Sequence, residues 1–283
     1  SSFGYVDVSS ATFTIDTGGK AYVEVQKEVP SQVHGEVQVT SSTNLKFSNS
    51  VQTVDMFLVG GGGGGGVTVG KRYIDKTGAQ GGAGGQIVTR YAVALGADRT
   101  CNVQIGAAGV GGTVRGNQNG ISPTGTTDST DGGDTTAVIN GETITAAGGG
   151  AGVASQASVK SSRNTNGGGY GGRGNNVSAA DNAGALNLVN SGRKFDDTSG
   201  TNYGSGGGGA YRWMDDEAGA FAYAGPGASG AGDAAASNGG DAVAGDATTY
   251  GSGGGAAVNV AGSGTYKYAY AGDGMQGLAI IRW

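Results

Sequence analysis

The chain is expected to be all-β: an antiparallel, sandwich- or jelly-roll-like β core with packed polyglycine II helices and long loops, almost without α-helix. Three observations predict this. First, Val54-Asp55-Met56-Phe57-Leu58-Val59, an apolar run rich in β-formers and typical of a buried strand, passes directly into seven glycines, Gly60 to Gly66. Second, the alternation of short strand and glycine block recurs to the C-terminus, where Leu278-Ala279-Ile280-Ile281-Arg282-Trp283 reads as a last strand. Third, glycine recurs at every third residue at 106, 109 and 112, and again at 168, 171 and 174. A polyproline II helix has three residues per turn and no internal hydrogen bonds. Built from glycine it keeps its amide hydrogens, so neighbouring helices can bond through their backbones and satisfy groups that burial would otherwise leave unpaired. Ordering so much glycine is entropically costly, so such a bundle needs many mutual bonds and a β anchor.

Composition narrows the alternatives. The 283 residues include 63 glycines but only 3 prolines, which with no strict Gly-X-Y repeat excludes collagen. Hydrophobic residues make up 36% and the net charge is only -5, against disorder and against nucleic acid as a partner. No apolar run approaches the ~20 residues that span a bilayer, so membrane insertion is not expected. The first residues show no basic segment leading into an apolar one, so a signal peptide is not expected either. Cys101, the single cysteine, sits in an alternating strand pattern as a small buried hydrophobe. His34, the single histidine, has no sequence-local partner and no nucleophile motif near it. No enzyme activity and no cofactor is expected.

Taken in order, residues 1–53 carry few glycines and read as β strands: Ala11 to Asp16, Tyr22 to Val29 up to the break at Pro30-Ser31, and Glu36 to Thr40. They are part of, or an attachment to, the main β core, and residues 54–283 form the glycine-rich β/polyglycine II domain. Val67 to Gln80 reads as a polar surface loop. Gln86 to Leu95 and Thr100 to Ile105 are strands with alternating apolar residues. Ala137 to Ile139, Asn140-Gly141 and Glu142 to Thr145 specify a hairpin closed by a type I′ turn, because both turn residues accept positive φ. From about residue 148 to 274 the chain is mostly glycine, alanine, serine and asparagine with scattered aromatics. Tyr266, Tyr268 and Tyr270 alternate as in a strand and are expected to pack across a sheet.

The Val-Asp-x-Phe-Leu-Val run before the first glycine tract, the later glycine blocks between short strands, and the ending Gly277-x-Ala279-Ile280-Ile281-Arg282-Trp283 together resemble the glycine-rich domain of bacteriophage tail proteins, over about residues 40–283. The resemblance implies a virion protein at a tail tip or the distal end of a tail fibre. Its implied partners are other tail proteins and a bacterial surface receptor, polysaccharide or protein. A homotrimer on a fibre axis is one assembly it suggests. Residues 175–203 and 210–223 are richer in other side chains than that family's usual glycine density.

For an adhesin, specificity has to come from loops, since bare glycine backbone discriminates little. Tyr211-Arg212-Trp213 followed by Phe221 and Tyr223 is the densest loop of this type after residue 150, and Tyr, Trp and Arg dominate binding hot spots. Capping of the glycine core by Tyr211 and Trp213 is an equal alternative. Tyr170 with Arg173, Tyr203, and Lys71-Arg72-Tyr73 are further candidates. Asp128, Asp131 and Asp134, three residues apart, fit calcium only weakly and fit a solvated turn better. Asp215-Asp216-Glu217 offers carboxylates without any sign of a glycosidase spacing. No metal is expected. A glycine-rich filament subunit is the main alternative class; an ice-binding bundle and a depolymerase tailspike are the others.

Overall fold

The computed structural model describes residues 35–70, 77–117, 120–155, 203–215, 219–224, 227, 230–238, 241–260 and 266–283, together with short strands at 12–15, 21–24 and 27–28. The described residues are all-β. Two sheets form one end of the molecule. One is ordered β4 (Glu36–Val39), β22 (Leu278–Arg282), β6 (Thr53–Val59) and β9 (Ile87–Ala94). The other runs β14 (Glu142–Ala146), β13 (Thr135–Ile139), β10 (Thr100–Gln104), β5 (Thr43–Lys46) and β3 (Lys27–Glu28). Met56, Leu58 and Ile281 from the first sheet meet Leu45, Val103 and Ile139 from the second in one core. Phe57, Val59, Leu278 and Ile280, the alternate positions, enter a separate core with Ile87. Burial on both faces explains why β6 reads as an unbroken apolar run instead of alternating. Among the described residues β1 (Thr12–Ile15) pairs with β2 (Ala21–Glu24) in a separate two-stranded sheet. The hairpin between β13 and β14 forms as expected, with φ of 49° at Asn140 and 77° at Gly141. Cys101 is buried, and burial pushes its thiol up to about 12.

The described glycine tracts are ordered rods. In 60–66 every amide donates, and the acceptors rotate with a period of three. Gly60, Gly63 and Gly66 donate to Gln86, Ala83 and Gln80, Gly61 and Gly64 to Gly133 and Thr130, and Gly62 and Gly65 to Met275 and Gly272. The carbonyls rotate in the same way. Gly61 and Gly64 accept from Gly149 and Gly152, Gly62 and Gly65 from Gly109 and Gly112, and Gly63 and Gly66 from Gly254 and Ala257. All of these bonds are 2.7–3.0 Å long. The residue numbers descend in the three neighbours that accept and ascend in the three that donate, so rod 60–66 has three antiparallel and three parallel neighbours. Six neighbours and a period of three define a polyglycine II helix in hexagonal packing.

The remaining bonds complete the lattice. Rod 251–256 also has six neighbours, at 60–66, 80–86, 205–209, 231–234, 244–247 and 271–277. Among the described residues the rods therefore form three layers. The first holds 147–153, 80–86 and 205–209. The second holds 130–134, 60–66, 251–256 and 231–234. The third holds 106–112, 271–277 and 244–247.

At the end away from these two cores, each layer continues into its own sheet, except that rod 130–134 of the second layer adjoins a strand at 120–127 in the third layer's sheet. The first becomes β15 (Ala154–Ser155), β8 (Thr77–Ala79) and β16 (Ala210–Asp215), extended by β17 (Gly219–Ala224). The second becomes the parallel sheet β18 (Ala235–Asn238), β20 (Ala257–Val260) and β7 (Val67–Gly70). The third becomes β11 (Thr113–Asn117), β21 (Lys267–Tyr270) and β19 (Ala242–Val243), with β12 (Gly120–Thr127) alongside. At the core end the grouping is crossed, because β14, β13 and β10 adjoin one rod from each layer, and so do β9, β6 and β22. Sheets that cut the lattice in two directions hold together rods that carry no side chains to interlock.

This arrangement explains where glycine is required. A methyl group at Gly60, Gly61 or Gly62 would run into the backbone of Ala147, Ala107 or Ser252 respectively, and the same three neighbours block Gly63, Gly64 and Gly65 in turn. None of these glycines has positive φ; the rods need the missing Cβ, and left-handed backbone is used instead where the chain turns into a rod, at Gly204, Gly230 and Gly251. In the outer rod 106–112, Gly106, Gly109 and Gly112 face inward while Ala107, Ala108 and Val110 are exposed. The expected three-residue spacing is thus one face of an outer rod, and the seven-glycine run marks a rod surrounded on every side. The second predicted spacing, Gly168, Gly171 and Gly174, lies outside the described residues.

Carboxylates close the flanks of the lattice. Asp134 Oδ1 accepts from Gly148 N at 2.9 Å and Asp131 Oδ1 from Ala151 N at 2.7 Å, while Asp273 Oδ1 accepts from Gly111 N at 2.6 Å. Each oxygen occupies the position that a carbonyl of a further rod would take. Replacing Asp131 and Asp134 together by alanine is expected to lower stability by about 1–2 kcal/mol, the range of lost helix caps. Chemical denaturation checks this.

Two expectations need correction. The segment from Val67 to Gln80 is not simply a surface loop, because it carries β7 and β8, which extend the lattice; the polar residues 71–76 lie outside the described residues. The aromatic segment at 210–223 is built on β16 and β17, a hairpin and not an irregular loop. In both, strand pairing to a neighbouring rod's continuation overrides a polar or mixed local pattern.

Candidate functional site

The end away from the cores carries the side chains that could recognise a ligand. β16 pairs with β8 on one side, opposing Ala210 to Ala79, Tyr211 to Gly78 and Arg212 to Thr77. On the other side it pairs with β17, which is the outer strand of its sheet. Tyr211 stands opposite Tyr223 and Trp213 opposite Phe221, so with the period of two these four positions belong to one face of the strand pair. Ala210 is fully buried with Ala256 and Val258 of the middle layer, on the other face, and Arg212 shares that face by alternation. The register therefore groups Tyr211, Trp213, Phe221 and Tyr223 and separates Arg212 from them. Tyrosine, tryptophan and phenylalanine at cross-strand positions are strong β-formers, which is why this segment pairs at all.

The other candidates distribute differently. Tyr203 is half-buried and packs its ring 5.7 Å from Phe57 at the base of rod 205–209, where it covers the second apolar core. Lys71, Arg72, Tyr73, Tyr170 and Arg173 lie outside the described residues. Asp131 and Asp134 hold rod amides, and among the described residues no three His, Cys, Asp or Glu side chains gather as a metal site.

A second aromatic group was assigned by its sequence pattern only to cross-sheet packing. On β21, Ala269 faces a further, smaller core with Val114 of β11 and Ala242 of β19. Tyr268 and Tyr270 occupy the opposite face, stacked at 5.4 Å between centroids with 14° between planes. Arg115, register partner of Tyr268, places its guanidinium carbon 4.2 Å from the ring centre of Tyr266 and 5.6 Å from that of Tyr268. Asp241 Oδ1 accepts from Tyr268 N at 2.9 Å, and Asn259 Nδ2 donates to Tyr268 O at 2.7 Å, so backbone contacts on both sides fix the strand. Tyr266 is 44%, Tyr270 36% and Val243 67% exposed, three of the seven exposed large hydrophobics among the described residues. Burial against the sheet, then Tyr268 and the Asp241 carboxylate, push the Tyr270 phenol above its ordinary value. The alternation Tyr266-x-Tyr268-x-Tyr270 signalled the strand, but Arg115 lies 151 residues from Tyr266 (266 less 115) and nothing local announced it.

A family model described as glycine-rich domain matches residues 38–283. No curated protein matches the chain.

Proposed function

We propose, from the premise that the chain belongs to the glycine-rich domain family, that it is a non-enzymatic phage tail adhesin. In this reading it recognises the bacterial surface, polysaccharide or outer protein, and joins other tail proteins in the virion. The observation that carries the proposal is the construction of the far end. Three sheets grow directly out of a mutually bonded glycine lattice, and the hairpin of β16 and β17 brings four aromatics to one face of the outermost strand pair. A rigid support lets aromatic side chains bind with little ordering cost. Carboxylates on the flanks favour a discrete particle over the filament alternative, since they occupy the amides that lateral growth of the lattice would need.

The test is adsorption of fluorescently labelled protein to a panel of bacterial strains. A subset of strains should bind it. Trp213→Ala combined with Tyr223→Ala should then weaken binding by about a hundredfold, as expected for two hot-spot aromatics, with the denaturation midpoint within a few degrees of wild type. Concentration-dependent fibres in electron micrographs, or adsorption indifferent to the double substitution, would overturn the reading.

A further inference from the structure

The face of β11 and β21 carries a cation, Arg115, that has no anionic partner among the described residues. Among the described residues no carboxylate lies within ion-pair distance of Arg115; the ion pair found there joins Arg282 to Glu36 at the opposite end. The Nε of Arg115 is buried and makes no hydrogen bond. Its guanidinium is held instead against the rings of Tyr266 and Tyr268. Leaving such a group unpaired is costly; the buried Nε is out of reach, but stacking on rings leaves the edge formed by the two terminal guanidinium nitrogens to meet an anion in its plane.

We propose that this face is a binding site for an acidic saccharide, a sugar unit bearing a carboxylate. The carboxylate pairs with the edge of the Arg115 guanidinium, which matches a carboxylate's two oxygens. The apolar face of the sugar ring lies on the exposed parts of Tyr266 and Tyr270, whose aromatic surface is already fixed by the Tyr268 stack. Asp241, beside Tyr268, accepts sugar hydroxyls at the other end of the strip. Phenol faces alone would accept any sugar, and Arg115 adds selection for the acid. Val243, two-thirds exposed at the edge, extends the apolar contact. The site is separate from the hairpin of β16 and β17 and does not depend on the adhesin reading.

Calorimetric titration of the full chain with hexagalacturonate, with maltohexaose as the neutral control, tests it. The acidic oligomer should bind, with maltohexaose at least about tenfold weaker and affinity falling as salt is raised. Arg115→Gln should weaken hexagalacturonate binding by about tenfold or more, the effect of losing a hydrogen-bonded charge. Because Arg115 also packs on two rings, Tyr270→Ser is measured beside it; that exposed position should lose affinity with an unchanged denaturation midpoint. Equal titration by both sugars, no heat from either, or an Arg115→Gln protein that binds like wild type would each overturn the proposal. Adsorption to cells without hexagalacturonate binding would remove this site and leave the adhesin reading standing. The converse result would do the opposite.

Discussion

Replacing Gly62 by alanine is expected to abolish cooperative folding, although the change adds one methyl group. The added carbon would meet the carbonyl of Ser252, in the parallel neighbour 251–256. A flexible side chain could move aside, but here the obstacle is backbone, and that backbone is itself bonded to six rods. To make room, rod 60–66 has to shift by about 1 Å, more than bonds of 2.7–3.0 Å tolerate. The rod donates seven such bonds, each with a net value of about 1 kcal/mol, and the amides freed inside the lattice have no water to receive them. The cost therefore exceeds about 5 kcal/mol, a large part of the stability of an ordinary domain. Gly141→Ala is the control. That glycine is needed for its φ of 77° and has open space around it, so the expected cost is only about 1 kcal/mol. Thermal and denaturant unfolding of the two proteins should separate them clearly. Comparable midpoints would mean that the rods are not close-packed.

Amide exchange should give the second large effect. A heptaglycine segment in a linker exchanges at the unprotected rate. In this protein Gly61 to Gly65 donate to five different backbone carbonyls within a fully buried rod, and opening any one of them requires the lattice to open. Their exchange should be slowed by at least about a thousandfold, approaching the limit set by global unfolding. The amides of Ala107 and Ala108, exposed on an outer rod, should exchange far faster although they sit in the same kind of helix. A gradient from the central rod outward is specific to hexagonal packing. Uniform fast exchange across 60–66 would leave the platform for the aromatic faces without support.

Much of this architecture was legible from single residues. The Val54–Val59 run predicted a buried strand, and its entry into two cores at once accounts for its lack of alternation. Asn140-Gly141 predicted its own turn. The spacing of Gly106, Gly109 and Gly112 predicted a three-residue helix, and the exposed Ala107, Ala108 and Val110 show which side of it faces outward. The candidate site was legible only as a concentration of Tyr211, Trp213, Phe221 and Tyr223. That these share a face, and that Arg212 leaves it, follows from the pairing of β16 with β17.

By itself, then, the sequence determined that glycine blocks are fastened to strands, and that the longest block lies where every direction is occupied, because only a residue without Cβ can be surrounded by backbone on all sides. It could not determine which rod lies beside which. Glycines are identical, so a rod carries no information about its partners. Gly62 is joined to Met275, 213 residues away (275 less 62), because β6 and β22 pair at the core end and set the register from there. Tertiary structure likewise decided the unpaired Arg115 among its tyrosines. That cation comes from one rod's continuation and its rings from another's, and only the lattice makes them neighbours.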